Sequence, residues 1–132
     1  MSAPSQKGKI QSVLGLIDPA DLGLTMTHEH LLIDFSVMFN PSPDVTTQRM
    51  AHAPVSMENL GWIRQYCYSN LDNLLVLDED TAIKEAMLYQ RHGGGAIVDA
   101  TTVGIGRDPL ALARISRGAG LHVVMGAGYY VE

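Results

Sequence analysis

Ala96-Ile97-Val98-Asp99-Ala100, then Gly104-Ile105-Gly106-Arg107-Asp108-Pro109, then Leu121-His122-Val123-Val124-Met125: read in order, these three pieces decide the fold. The first and last are short apolar runs of the kind carried by strands buried on both faces of a parallel sheet. Between them Asp108 stands as an N-cap with Pro109 at the first helical position. Leu110, Leu112, Ala113 and Ile115 fill that helix until Gly118 and Gly120 stop it. Toward the N-terminus, Asp78 or Asp80 caps an earlier helix in which Ala82, Ile83, Ala86, Met87 and Gln90 recur at helical spacing, and Gly93, Gly94 and Gly95 end it. Leu24 to Leu31 supplies a strand before that helix. Strand, helix, strand, helix, strand predicts a parallel α/β sheet with right-handed crossovers.

Further out the signals weaken. Ile10 to Leu16 reads as one short strand, and Asp18-Pro19 with Asp21-Leu22-Gly23 as turn chemistry, so an N-terminal hairpin with the Leu24–Leu31 strand is expected. Pro41, Pro43 and Pro54 make residues 40–54 a loop. Ser56 is the expected cap of a short helix presenting Met57, Leu60 and Ile63 on one face, weakened by Gly61. The last strand is followed closely by Glu132, so the expected sheet lacks a closing helix and offers an open edge that favours self-association.

Composition narrows the function classes. A 46% hydrophobic, 17% charged chain is globular rather than disordered. Its net charge of -5, with Lys and Arg scattered, argues against nucleic acid as a partner. The start, Met1 to Lys7, has no apolar leader, and no apolar run approaches the roughly 20 residues of a membrane span. A soluble, cytoplasmic chain is expected. Cys67 is the single cysteine, which excludes an internal disulfide and fits a reducing compartment; burial as a small hydrophobe is its expected environment.

The chemistry concentrates in Thr27-His28-Glu29-His30. Alternate residues of a strand point to one face, so His28 and His30 project together and Glu29 away from them. Two imidazoles placed in this way form half of a site for zinc or a neighbouring transition metal. Their position at the carboxyl end of the first strand of a parallel array is where such folds build active sites. The alternative is a pair of histidines satisfied by hydrogen bonds at a strand end.

Three segments then match in order: Leu24-Thr25-Met26-Thr27-His28-Glu29-His30, Ile97-Val98-Asp99-Ala100-Thr101-Thr102 with Ile105-Gly106-Arg107-Asp108, and His122-Val123-Val124-Met125-Gly126-Ala127-Gly128-Tyr129-Tyr130. Together they resemble the first three strand ends of the phosphotriesterase family within the amidohydrolase superfamily. Gly93-Gly94-Gly95 and the insertion around residues 40–77 resemble the phosphotriesterase-related branch. The resemblance implies an incomplete TIM (β/α)8 barrel: an N-terminal hairpin plus the first three parallel strands and their helices, with residues 1–132 as the N-terminal part of one metal-dependent hydrolase domain, truncated after the third barrel strand. It implies two divalent metal ions, zinc foremost, in the complete protein, with His28 and His30 holding one of them. The implied activity is hydrolysis of an ester, lactone, phosphotriester or N-acyl amide by a metal-activated water, the related branch pointing toward the amide, and the implied partner is that small molecule.

Within this length no catalytic residue is assigned, because the bridging ligand, the later histidines and the catalytic aspartate of such families fall beyond it. Ile105 and Tyr130 follow the second and third strands, where the family lines its substrate pocket, and are the candidate substrate contacts, with simple packing as their alternative. Asp99, inside the buried strand, reads either as a polar core residue or as one facing the barrel mouth, Arg107-Asp108 as a loop charge and a cap, and His52, His92 and His122 as structural or solvated. Two other functions compete. A nucleotide-binding module is weakened because Gly104-Ile105-Gly106 lacks the third glycine of the dinucleotide fingerprint. A non-catalytic truncated product is the other.

Overall fold

The computed structural model describes residues 6–131, so the expectation of a leaderless start falls largely outside it. In chain order the strands are β1 (Ile10–Ser12), β2 (Gly15–Ile17), β3 (Leu24–Glu29), β4 (Ile33–Asp34), β5 (Leu75–Val76), β6 (Gly94–Asp99) and β7 (His122–Met125). The α-helices are α1 (Val45–Gln48), α2 (Leu60–Gln65), α3 (Glu79–Arg91) and α4 (Pro109–Ala119). β3, β6 and β7 form a parallel sheet in that order, with α3 and α4 as its connections. The fold is α/β.

Caps set the helices. Asp78, not Asp80, begins α3: its carboxylate accepts from the Asp80 N–H at 3.1 Å and from the Thr81 hydroxyl at 2.5 Å. Asp108 begins α4 by accepting from the N–H groups of Leu110 and Ala111, both at 2.9 Å. Ala82 and Ala86 of α3 and Ala111, Ile115 and Ala119 of α4 pack with Ile97 and Leu121 into one core on the helix side of the sheet. Of the apolar residues read along α4, Leu112 and Ile115 are buried, whereas Leu110 in its first turn is 73% exposed.

The glycines after α3 do more than end it. Gly93 takes the left-handed turn at φ +93°. A Cβ on Gly94 would enter the Tyr89 ring, and one on Gly95 would strike the Leu22 carbonyl. These two let β6 run close beneath its neighbours, and the Tyr89 hydroxyl donates to Leu24 O at 2.8 Å across the same contact. On the opposite face of the sheet Val98 and its register partner Val124 are only half-buried, so the expected double-sided burial is met at Ala96 and Ile97 but not along the whole strand.

The periphery departs from the sequence reading. Ile10 to Leu16 is not one strand paired with residues 24–31: it folds back on itself, Ile10 pairing with Ile17 and Ser12 with Gly15. The Ser12 hydroxyl, accepting from Leu14 N–H and donating to Gly15 O, closes the turn, and Gly15 at φ +128° allows it. Val13 N–H donates to Val123 O at 2.9 Å, so this hairpin meets the β7 backbone that had been expected to lie open. Leu24–Glu29 is thereby released to pair in parallel with β6.

Residues 40–54 are loop as expected, apart from the single turn α1 capped by Asp44. The next helix begins at Leu60 rather than after Ser56, because Asn59 captures the Ser56 N–H at 2.8 Å and ties its own amide to Pro54 O; Met57 is 86% exposed. Cys67 is exposed, contrary to the burial expected of it, since it sits on a one-turn helix, Cys67–Ser69, at the surface of the insertion. β4 and β5 make a two-stranded antiparallel ribbon that the sequence did not signal. Among the described residues no helix is long and apolar enough to cross a membrane.

Candidate metal centre and substrate pocket

The carboxyl ends of the three parallel strands lie level. Glu29 pairs with Asp99, and Asp99 with Met125. One step further, Ala100 N–H donates to Glu29 O and Gly126 N–H to Asp99 O, each at 2.7 Å. The residues immediately beyond these ends therefore share one rim, and a cavity of about 480 Å³ opens there.

His28 and His30 both line it, their ring centroids 5.3 Å apart and nearly perpendicular. His28 is the second-to-last residue of β3 and His30 the first beyond it, so strand alternation brings the rings together as the spacing predicts. Glu29 instead turns its carboxylate back to the His30 N–H at 3.1 Å. The His30 ring is held: Nδ1 lies 3.0 Å from the Thr101 hydroxyl. Two neutral imidazole nitrogens are a donor set that suits zinc and its neighbours. No group of three or more His, Cys, Asp or Glu among the described residues comes together to complete such a site.

The other sequence candidates separate. Ile105 is 2% exposed at the base of the cavity, on a one-turn helix that Gly106 ends at φ +85°. That turn buries Ile105 in the lining of the cavity. Tyr130 is 67% exposed on the cavity wall and stacks on Phe35, centroids 6.2 Å apart. Asp99 is fully buried and its oxygens accept from the N–H groups of Leu31 and Thr101, which makes it a core clamp rather than a ligand. Arg107 is more than a loop charge, since its guanidinium donates to Gly126 O at 2.7 Å and joins two strand-end loops. His92 caps α3 through Leu88 O, and His52 rests edge-on against Phe39.

Sequence reasoning missed four residues at or beside the cavity. Phe35 and Tyr68 form an aromatic wall with Tyr130; Tyr68 comes from the insertion, where nothing in the pattern marks it. Thr102 also lines the cavity, and its hydroxyl, buried, has no hydrogen-bond partner among the described residues. Asp34, between two lining residues, has its carboxyl held below the ordinary aspartate value, chiefly by the Ser36 hydroxyl and then by the Ser36 N–H.

Fold and site define a class: a parallel α/β segment that gathers paired imidazoles and an aromatic pocket at its carboxyl strand ends. Within that class, the family model described as the phosphotriesterase family matches residues 8–132, and the chain belongs to that family. It is 48% identical over its whole length to an N-acetyltaurine hydrolase of Salmo salar and 44% identical over 97% of its length to one of Homo sapiens. It spans about a third of the length of these relatives, 37% in both cases. Among solved structures, a resiniferatoxin-binding protein from Rhodobacter sphaeroides superposes with a TM-score of 0.91 at 45% identity, over 95% of this chain and 35% of that one. A lactonase from Listeria monocytogenes superposes at 0.59 with 28% identity, over 91% of this chain and 28% of that one.

Proposed function

We propose that residues 1–132 are the N-terminal part of a metal-dependent hydrolase domain whose full-length form cleaves ester, lactone or N-acyl amide bonds. The observation that carries this reading is the pair of imidazoles at the level carboxyl ends of parallel strands, opening into one cavity. In this reading the sheet supplies the first three strands of a TIM (β/α)8 barrel, and the half-buried Val98–Val124 face is part of its interior. The N-acetyltaurine hydrolase relatives favour the N-acyl amide among the substrates.

His28 and His30 would hold one of two divalent ions, zinc being the choice that imidazole donors favour. Metal in such a site activates water and polarises the scissile oxygen. The chain's own residues bind and orient: Tyr130, with Phe35 and Tyr68 beside it, walls the acyl or leaving group, and Ile105 sets the depth of the pocket floor. A single cysteine, with no second one in this sequence to pair with, supports a reducing compartment such as the cytoplasm.

The test is metal analysis of the full-length protein. His28→Ala combined with His30→Ala is expected to remove one metal equivalent and nearly all turnover. Unchanged stoichiometry in the double variant overturns the assignment.

A further inference from the structure

We infer that Thr101 is a positioning residue for His30, fixing its imidazole as the Nδ1–H tautomer so that Nε2 is left as the ring's only lone-pair donor. The purpose of this arrangement rests on the metal reading above; its geometry does not.

A threonine hydroxyl has a single hydrogen. Thr101 Oγ1 lies 3.0 Å from Leu32 O, and a carbonyl can only accept, so the hydrogen is committed there. Toward His30 Nδ1, also 3.0 Å away, the hydroxyl oxygen can therefore only accept. A neutral imidazole carries one N–H and one bare nitrogen, so the N–H must be at Nδ1. Thr101 is 1% exposed, which keeps solvent from relieving it of either partner.

Thr101 is itself held. Its N–H donates to Asp99 Oδ1 at 2.9 Å, while Asp99 Oδ2 accepts from Leu31 N–H at 2.8 Å. One buried carboxylate thus clamps both segments, the one that carries Thr101 and the one that carries His30. The order of support runs from Asp99 to Thr101 to the ring. A ligand histidine fixed through its other nitrogen loses about 10–100-fold in metal affinity when that support is removed.

The experiment uses full-length protein labelled with ¹⁵N-histidine, metal-free, at a pH where the ring is neutral. Long-range ¹H–¹⁵N correlations report which nitrogen of His30 is protonated, the assignment coming from the signal lost in His30→Gln. Wild type and Thr101→Ser are expected to show Nδ1–H. Thr101→Val, which cannot accept, is expected to show a mixture or Nε2–H, and to weaken zinc binding about 10–100-fold in chelator competition, with Thr101→Ser close to wild type. Nε2–H in wild type, or a Thr101→Val protein with tautomer and zinc affinity unchanged, overturns the inference. Should Thr101→Val fail to fold, the wild-type tautomer still decides. A tautomer that follows Thr101 in a protein whose zinc content ignores His28 and His30 would sink the metal reading while leaving the positioning role intact.

Discussion

Thr102 and Ile105 both line the cavity and both are buried, but Thr102 buries a hydroxyl with no hydrogen-bond partner among the described residues whereas Ile105 buries only hydrocarbon. An unpaired hydroxyl at 7% exposure costs the fold about 1–3 kcal/mol. Thr102→Val therefore is expected to leave the denaturation midpoint unchanged or raised, while KM for the substrate rises if the hydroxyl is kept for that contact. A marked loss of stability would show that the hydroxyl has a partner elsewhere in the protein. Ile105 is the reverse case. At 2% exposure, Ile105→Ala should cost about 2–5 kcal/mol, and any change in substrate preference would come with it. Tyr130→Ala, at 67% exposure, should cost little stability and shift preference across an acyl series without changing metal content. Kinetics identical to wild type across that series would reduce Tyr130 to packing against Phe35. The paired histidines were legible because alternation on a strand is a local rule, but the aromatic wall was not, since Tyr68 reaches the cavity only through the tertiary path of the insertion.

Elements follow the same division. α3, α4, β6 and β7 were legible because caps, apolar period and glycine stops agreed with one another. The hairpin was misplaced because the turn at Ser12–Gly15 depends on a side-chain hydrogen bond that no periodicity records, and β4–β5 because two residues on each strand are too few to alternate. The bridge between α3 and α4 gives a pH prediction. Arg114 clasps Glu79 through Nε–Oε1 at 2.8 Å and a second nitrogen to Oε2 at 2.7 Å, and this hydrogen bonding holds the Glu79 carboxyl below the ordinary glutamate value. The Thr81 hydroxyl, first among its causes, does likewise for Asp78. A depressed acid contributes fully above its unfolded pKa, and the contribution is lost as pH falls through the folded value. Stability should therefore be flat on this account above about pH 5 and decline below about 4.3. The slope should be shallow because both groups are exposed to solvent, and Glu79→Gln should flatten it further. Urea midpoints across pH 3 to 7 measure this; an unaltered profile in Glu79→Gln would remove the bridge from the account. Gly95→Ala tests the close approach of β6 to Leu22, and should destabilise by more than the ordinary glycine-to-alanine effect because the obstacle is backbone.

At the scale of the molecule, the described residues hold the two imidazoles of the proposed metal site and a sheet packed by helices on one face. The helix side is closed by Ile97, Leu121 and the alanines of α3 and α4, whereas Val98 and Val124 on the other side are only half-buried. The β7 backbone receives one hydrogen bond from Val13, which leaves most of that edge able to pair with another strand. A barrel closes with eight strands and typically about 250 residues, and catalytic zinc takes three protein ligands, whereas the proposed site has two, His28 and His30, among the described residues. Expressed alone, the 132-residue chain should therefore associate rather than remain a monomer, bind zinc weakly, and turn over none of the ester, lactone or N-acyl amide substrates. Association through the β7 edge and the Val98–Val124 face should slow hydrogen exchange at Val123–Met125 as concentration rises, and Val124→Lys should suppress it by placing a charge on that face. Sedimentation, equilibrium dialysis with zinc and concentration-dependent exchange measure these three outcomes. A monodisperse monomer giving multiple turnovers that His28→Ala abolishes would mean that a working site assembles from three strands, and that the barrel is not what completes it.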